Sequence, residues 1–241
     1  MPLPRRRFLN LLGAGSVLAL GACGPAENAA ITPELTPTPA ALLEMASKRL
    51  AETPTVHFAL DVQGETFIDS GGNIRLLGAE GDLQRPDSVQ TAFQAEVMGR
   101  AISLQLVTIG DQSWTTNILT GEWEDAPLEF AYQPDILFST QDGIGPVMGR
   151  VEDVERREDE EIEGRPTYHL HATVDESVVG PLTYFTINGS PVAVDLWIDQ
   201  ETYDLLRARL SEPPGPERPN PAVWTLNLSH HGEEVSIEPP V

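Results

Sequence analysis

Residues 88–109 decide the fold, and they run Ser-Val-Gln-Thr-Ala-Phe-Gln-Ala-Glu-Val-Met-Gly-Arg-Ala-Ile-Ser-Leu-Gln-Leu-Val-Thr-Ile. Side chains on one face recur at every second position from Val89 to Val97, and Ile102, Leu104 and Leu106 continue the pattern after Gly99-Arg100. A period of two is typical of a half-buried strand, and a short glycine-containing break predicts a hairpin. The stretch therefore predicts two antiparallel strands with one apolar face.

Similar alternation on both sides of this stretch predicts further strands. The breaks between the nearest strands are two to four residues long and rich in Gly, Pro or Asp, which indicates an antiparallel meander. The predicted strands cover Val56 to Val62, Ile74 to Leu83, a short segment around Trp114, the segment through Tyr168 and Val174, Val192 to Ile198, Leu205 to Leu210, Val223 to Ser229 and Glu234 to Glu238.

Helical periodicity is confined to short segments. Apolar residues from Pro39 to about Ala51 share one side of a helix, with Thr38 as N-cap and proline at the first position. Two short helical turns are expected between Pro134 and Met148, whereas Asp175 to Thr186 fits no single pattern. The acidic run Glu152 to Glu163 predicts a charged, solvated hairpin.

The N-terminal residues have the features of an export signal. Arg5-Arg6-Arg7 precedes an apolar run, Phe8 to Leu20, that is too short to span a bilayer. The basic cluster also resembles a twin-arginine signal, although Pro4 departs from that pattern. We expect residues 1–22 to be removed as a signal peptide.

The sequence Leu20-Gly21-Ala22-Cys23 resembles the lipobox of bacterial lipoproteins. The resemblance implies that Cys23 becomes the N-terminus and carries diacylglyceryl and fatty acyl chains, which together give a lasting membrane anchor. The Pro- and Thr-rich residues after it predict a tether, 23–38, ahead of a single domain at 39–241.

Composition excludes several classes of partner. The chain has a net charge of −22, and removal of residues 1–22 leaves 12 basic against 37 acidic residues, a net charge of −25. Such a surface repels nucleic acid and anionic headgroups. Because Cys23 is the one cysteine, no internal disulfide can form.

Few residues suggest chemistry. His169 and His171 alternate on one predicted strand, and two histidines with a carboxylate can hold zinc or iron, but no further ligand is apparent. We expect these histidines, and His230-His231 in a turn, to be solvated, with no metal and no cofactor. No nucleophile motif or acid–base constellation can be assembled, so we do not expect an enzyme.

Six short motifs occur in one order along the chain and together resemble the LppX/LprA/LprF/LprG family of bacterial lipoproteins. They are Gly81-Asp82-Leu83 with Arg85-Pro86-Asp87, Leu119-Thr120-Gly121-Glu122-Trp123, Pro134-Asp135-Ile136-Leu137-Phe138 with Gly143, Gly164-Arg165-Pro166-Thr167-Tyr168, Leu196-Trp197-Ile198-Asp199, and Trp224-Thr225-Leu226-Asn227-Leu228-Ser229 ahead of Ile237-Glu238-Pro239-Pro240.

This resemblance implies an α+β, mainly β fold. A strongly curved antiparallel half-barrel sheet holds helices on its concave side around an apolar cavity, similar to the LolA/LolB lipoprotein carriers. The expected cavity walls are Phe58, Leu60, Phe93, Leu104, Leu106, Phe138 and Leu182. Taken alone, the alternation favours an ordinary filled core over a cavity.

The resemblance also implies the function. The expected protein is anchored on the extracytoplasmic face of the cell membrane, binds a lipid or glycolipid and carries it across the envelope, with a membrane transporter as a further partner. The alternative is a non-enzymatic interaction or sensor module that assists a membrane protein, because one fold serves several functions. Nucleic acid is not an expected partner.

Overall fold

The fold is taken from a computed structural model that describes residues 36–67, 72–126, 136, 139, 141–183, 185–187, 189–216 and 219–240. Pro37–Val241 forms one compact unit. Cys23 and the predicted signal peptide lie outside the described residues. No described helix is both long and apolar enough to cross a membrane.

The described chain forms a mainly antiparallel β fold, as predicted. Its strands are β1 (Thr55–Gln63), β2 (Ile74–Gln84), β3 (Ser88–Val97), β4 (Arg100–Ile109), β5 (Gln112–Thr116), β6 (Trp123–Asp125), β7 (Glu152–Arg156), β8 (Glu160–Ile162), β9 (Arg165–Val174), β10 (Val192–Asp199), β11 (Leu205–Ser211) and β12 (Val223–Ser229). Its described helices are α1 (Pro39–Glu52), α2 (Ile144–Met148) and α3 (Glu176–Val179).

All the strands belong to one curved sheet with the order β6-β5-β4-β3-β2-β1-β12-β11-β10-β9-β7, and β8 also pairs with β9. The first and last strands, β1 and β12, pair at its centre, with His57 opposite Ser229. Since β6 and β7 do not pair with each other, the sheet is not closed into a barrel.

Helix α1 covers one face of the sheet, which we call the inner face. Thr38 caps the helix through its hydroxyl oxygen, which accepts from Ala41 N–H. Leu42 and Ala46 are fully buried in a core cluster with Val56 of β1 and Leu170 of β9. Period-2 alternation thus places the predicted apolar residues of the strands on the inner face, and the polar alternates lie on the outer face.

Because neighbouring strands run in opposite directions, each connection between strands lies at one of the two ends of the sheet. The β1–β2, β3–β4, β5–β6, β9–β10 and β11–β12 connections lie at one end, which we call the apical end. The β2–β3, β4–β5, β8–β9 and β10–β11 connections lie at the other, the basal end. Helix α1 finishes at the basal end, where the guanidinium of Arg85 donates to the carbonyl oxygens of Leu50 and Thr53.

The acidic run does not form a hairpin with itself. Strands β7 and β8 both pair with β9, and Ile162 is buried against Trp197 and Leu206 on the outer face. This burial fixes β8 beside β9, so the prediction of a fully solvated hairpin is wrong, although the acidic side chains from Glu158 to Glu161 are exposed.

The predicted strand at Glu234 to Glu238 is also wrong. The segment follows β12 at the basal end, where both edges of β1 and of β12 are already occupied, so it cannot pair with either of these strands. It passes the basal end without regular structure, and the backbone carbonyl of Val235 accepts from the side chain of Gln84.

The structure describes part of the regions in which the sequence showed no clear periodicity. Of the two helical turns expected between Pro134 and Met148, the second is α2, and the first falls almost entirely outside the described residues. The ambiguous segment after β9 contains α3, which Asp175 caps by accepting from Ser177 N–H. Strand β6 was not predicted, because it is only three residues long.

Candidate functional site

A continuous row of apolar side chains crosses the inner face, and we call it the inner row. Directly paired residues of antiparallel strands point to the same side of a sheet, so the row follows from the register alone. It consists of Leu104, Phe93, Ala79, Leu60, Leu226, Ala208, Leu196 and Leu170, contributed by β4, β3, β2, β1, β12, β11, β10 and β9 in that order.

Burial changes along the inner row. Leu170 and Leu196, at one end, are 0% and 4% exposed and belong to the core cluster beneath α1. Leu60 and Phe93 are only half-buried, and neither belongs to that cluster. The row therefore continues beyond the core cluster, with half-buried side chains at Leu60 and Phe93 and buried ones at Ala79 and Leu104.

The structure brings four of the predicted wall residues together. Phe93 and Leu104 are directly paired in the inner row, Leu60 lies one strand beyond Ala79 in the same row, and Leu106 lies in the next row, where it pairs with Thr91. Phe58 and Leu182 pack instead against the core cluster. Phe138 lies outside the described residues.

Glycines in β2 bring the strands close together beside these walls. Gly81 lies between Phe58 and Thr91 in the second row, and a Cβ built on it would lie 2.0 Å from the carbonyl oxygen of Gln90. A Cβ on Gly78 would lie 2.5 Å from the carbonyl oxygen of Leu60. Glycine in a strand interior commonly marks a bend or a close backbone approach, and the register of β2 and β3 shifts between Leu76 and Gly78.

An open cleft of about 240 Å³ lies at the apical end of β4 and β5. Its lining consists of Leu104, Thr115, Thr116, Asn117, Ile118, Leu119 and Glu124. Leu104 is the end of the inner row, so the cleft leads from solvent to that row. Its volume lies below the range of about 300–1,000 Å³ that is usual for ligand sites, which fits an entrance better than a complete binding site.

Sequence reasoning missed Ile118 and Leu119. They lie in the β5–β6 turn, where Asn117 accepts from the backbone N–H groups of Leu119 and Thr120. The signal was two consecutive large apolar residues inside a turn, since turn residues are ordinarily polar or glycine.

The histidines of β9 lie on the outer face and are not simply solvated. Asp195 of β10 lies 3.1 Å from Nε2 of His169 and 2.8 Å from Nδ1 of His171. His169 also stacks on Trp197 and lies 3.0 Å from Glu160. These contacts hold the imidazoles as part of the outer face, and the described residues contain no group of three or more side chains that could hold a metal ion.

Charged side chains at the basal end connect α1 to the β10–β11 turn. Nε of Arg165 donates to Asp199, and its Nη2 donates to Asp204. Burial pushes the pKa of Asp204 upward, but hydrogen bonds from Thr202 and Arg49 outweigh this effect, so its pKa lies below the ordinary 3.8. Burial likewise pushes the pKa of Asp199 upward, and hydrogen bonds from Thr202, Glu201 and Arg165 together more than reverse the change.

His231 lies beside this network and is not solvated, contrary to the prediction. Its Nε2 lies 3.1 Å from the carbonyl oxygen of Leu205, and its Nδ1 has no hydrogen-bond partner among the described residues. Burial lowers the pKa of His231, and the attraction of Asp204 only partly offsets that effect. The network is structural, since it lies at the end opposite the cleft.

Comparison with known proteins places this geometry among bacterial lipoproteins. The family model described as LppX_LprAFG lipoprotein matches residues 38–237. A curated relative, the lipoarabinomannan carrier protein LprG of Mycolicibacterium smegmatis, is 24% identical over 212 residues, which is 85% of this chain and 84% of that protein.

Two solved structures share the fold. LprF from Mycobacterium bovis superposes with a TM-score of 0.67 at 20% identity, over 85% of this chain and 98% of that one. The lipoprotein LppX of Mycobacterium tuberculosis gives a TM-score of 0.61 at 17% identity, over 83% and 98%. At these identities the likeness establishes the fold alone.

Proposed function

Because the chain belongs to the LppX_LprAFG lipoprotein family, we propose that it is a lipid carrier of the cell envelope, anchored to the membrane through Cys23. Its cargo is a lipid or a lipid-linked glycoconjugate, whose acyl chains lie against the inner face while the polar part stays in water. The protein moves this cargo between membrane surfaces or to a transporter, and it needs no catalytic group for that task.

One observation carries the proposal. The inner row is apolar across eight strands, yet at Leu60 and Phe93 it is not filled by the core cluster that covers its other end. Acyl chains gain about 0.8 kcal/mol for each methylene that they bury, and they need no matching polar group. The half-buried part of the row, between the cleft and the core, is the surface that such chains would cover.

The relatives support a cargo of this kind. The similar protein from Mycolicibacterium smegmatis is named as a carrier of lipoarabinomannan, a lipid-linked glycan. A mature net charge of −25 disfavours headgroups with many negative charges. We therefore propose a neutral or weakly charged lipid or glycolipid for this chain.

Native mass spectrometry with solvent extraction tests the proposal. The protein is residues 24–241, which contain the whole compact unit, exported behind a foreign secretion signal and purified without lipid anchor. We expect a stoichiometric added mass that extracts as a lipid. A protein that remains without added mass after incubation with membrane extract would contradict the carrier function and favour an interaction module.

A further inference from the structure

The exposed large apolar side chains of the described chain all lie at the apical end. They are Phe67, Met98, Ile118, Leu119 and Phe185, which belong to the β1–β2, β3–β4, β5–β6 and β9–β10 connections. Leu119 is 93% exposed and Met98 is 91% exposed. Single exposed apolar residues are ordinary, but a concentration at one end of a molecule indicates an interaction surface.

Turn geometry does not explain these residues. Met98-Gly99 at the apical end and Glu163-Gly164 at the basal end are both two-residue hairpin turns, with φ angles of 50° and 76° against 52° and 81°. Positive φ at both positions favours Asn-Gly. The same backbone thus carries methionine at one end and glutamate at the other, so the difference reflects the surroundings of each end.

Exposed acidic side chains occur at both ends of the sheet. Acidic side chains are exposed at the basal end, where the turns and the loop before β8 carry Asp111, Glu158, Asp159, Glu161, Glu163 and Glu201. At the apical end Glu65, Glu122, Glu124 and Asp175 are exposed, and the exposed Arg100 follows the Met98 turn. Because carboxylates at both ends are repelled by anionic headgroups, the apolar apical side chains suit a zwitterionic phospholipid surface rather than an anionic one.

The apical residues also border the entrance to the inner row. Ile118 and Leu119 line the cleft together with Leu104. A molecule that leaves a membrane at these turns would therefore meet the apolar inner row without crossing open water.

We propose that the apical end docks on a lipid bilayer, with Met98, Leu119 and Phe185 inserted among the headgroups, and that lipid enters and leaves the protein there. The lipid-transfer part of this proposal rests on the proposed carrier function. The occupant is a bilayer because the apolar residues project from several separate turns: a protein partner would need a complementary surface for each, whereas a fluid interface adapts to them. The 15 residues from Gly24 to Thr38 extend at most about 50 Å, which is long enough for the apical end to face the membrane that holds Cys23.

Site-specific labelling tests the orientation. Residues 24–241 contain no cysteine, so an environment-sensitive dye can be attached at Leu119→Cys or, as the basal control, at Asp111→Cys. With phosphatidylcholine vesicles we expect a blue shift at position 119 and none at 111. Equal spectra at the two positions, or no shift at 119, would overturn the proposal.

Matched turn variants test the side chains. Met98→Asn with Leu119→Ser removes two exposed apolar groups, and asparagine suits the positive φ of its turn, so the fold should be retained. We expect vesicle binding by flotation to fall about tenfold or more, whereas Glu163→Asn should leave it unchanged. At low salt, the protein without substitutions should bind vesicles that contain about one third phosphatidylglycerol more weakly than vesicles of phosphatidylcholine alone.

Three further outcomes separate the alternatives. A blue shift at position 119 that appears without vesicles, together with a concentration-dependent dimer in light scattering, would show that a second copy covers the apical end and would overturn bilayer docking. Loss of vesicle binding with retained lipid in native mass spectrometry supports docking through these side chains. A protein that binds vesicles but never carries lipid would support docking at the apical end and would contradict only the carrier function.

Discussion

Arg49 of α1 and Asp204 of the β10–β11 turn form a hydrogen bond of 2.6 Å, from Nε to Oδ1, across 155 residues of sequence. Asp204 is almost fully buried, and its other carboxylate oxygen accepts from Thr202 and Arg165. The contact fixes the C-terminal turn of the helix to the basal end of the sheet, which sets how α1 covers the inner face.

Replacing Arg49 tests that role. Arg49→Met keeps the apolar stem but leaves Asp204 with one cation fewer, and we expect a loss of about 1–2 kcal/mol in the free energy of unfolding, since the guanidinium is partly exposed. Arg157→Met is the matched control because its pair with Glu155 lies on the surface, and it should change stability by less than about 0.5 kcal/mol. Equal losses in urea denaturation would contradict the role of Arg49.

Stability should fall with pH in two steps. The lowered pKa of His231 means that the unfolded chain takes up its proton first, so stability declines as the pH falls below the ordinary value of 6.5. Asp199 and Asp204 have lowered pKa values as well. The stability they contribute is present above their ordinary 3.8 and is lost as the pH falls through the lower folded values. Urea midpoints at pH 7.5 and 5.5 should differ, and His231→Gln should reduce the difference; an unchanged difference would show that His231 is not its source.

The glycine of the second inner row should not tolerate a side chain. Gly81→Ala places a methyl group against the carbonyl of Gln90, which is backbone and cannot move aside. We expect a loss of about 1–3 kcal/mol. At Gly215 a Cβ would meet nothing within 4 Å, so Gly215→Ala should be close to neutral. Thermal unfolding of the two variants measures the contrast, and a neutral Gly81→Ala would mean that β2 and β3 are less tightly apposed.

A pair of variants on β1 separates lipid binding from folding. Leu60→Gln puts an amide on the half-buried part of the inner row, and Ala59→Gln puts the same side chain on the outer face of the same strand. If lipid covers Leu60, loss of one to two methylene contacts lowers retention of lipid by about tenfold in native mass spectrometry. Ala59→Gln should retain it. Melting temperatures of both proteins control for folding, and equal retention of lipid would remove Leu60 from the binding surface.

The anchor has its own test. Cys23→Ala removes the acceptor of the acyl chains, so the change should abolish incorporation of radiolabelled palmitate by the cell. Incorporation that persists in the variant would overturn Cys23 as the lipidated residue, because the chain contains no other cysteine.

Much of the fold could be predicted because strand alternation is local. The bounds of β3 and β4 follow from side chains that alternate around Met98-Gly99, and the start of α1 follows from Thr38 and Pro39. Because alternation is local, the predicted cavity walls included residues that pack against the core cluster as well as residues that do not. Alternation places Phe58 and Leu60 on one face, but it does not tell which of them the helices will cover.

The sequence by itself determined the antiparallel strands, their apolar face, the first helix and the resemblance to a lipoprotein family, because each depends on residues a few positions apart. Only the tertiary structure decided which strands distant in sequence became neighbours. The pairing of β1 with β12 occupied the edges of both strands beside which Glu234 to Glu238 passes, and the pairing of β8 with β9 buried Ile162. It also gathered Phe67, Met98, Leu119 and Phe185 at one end, since the end at which a turn lies depends on the direction of every strand before it.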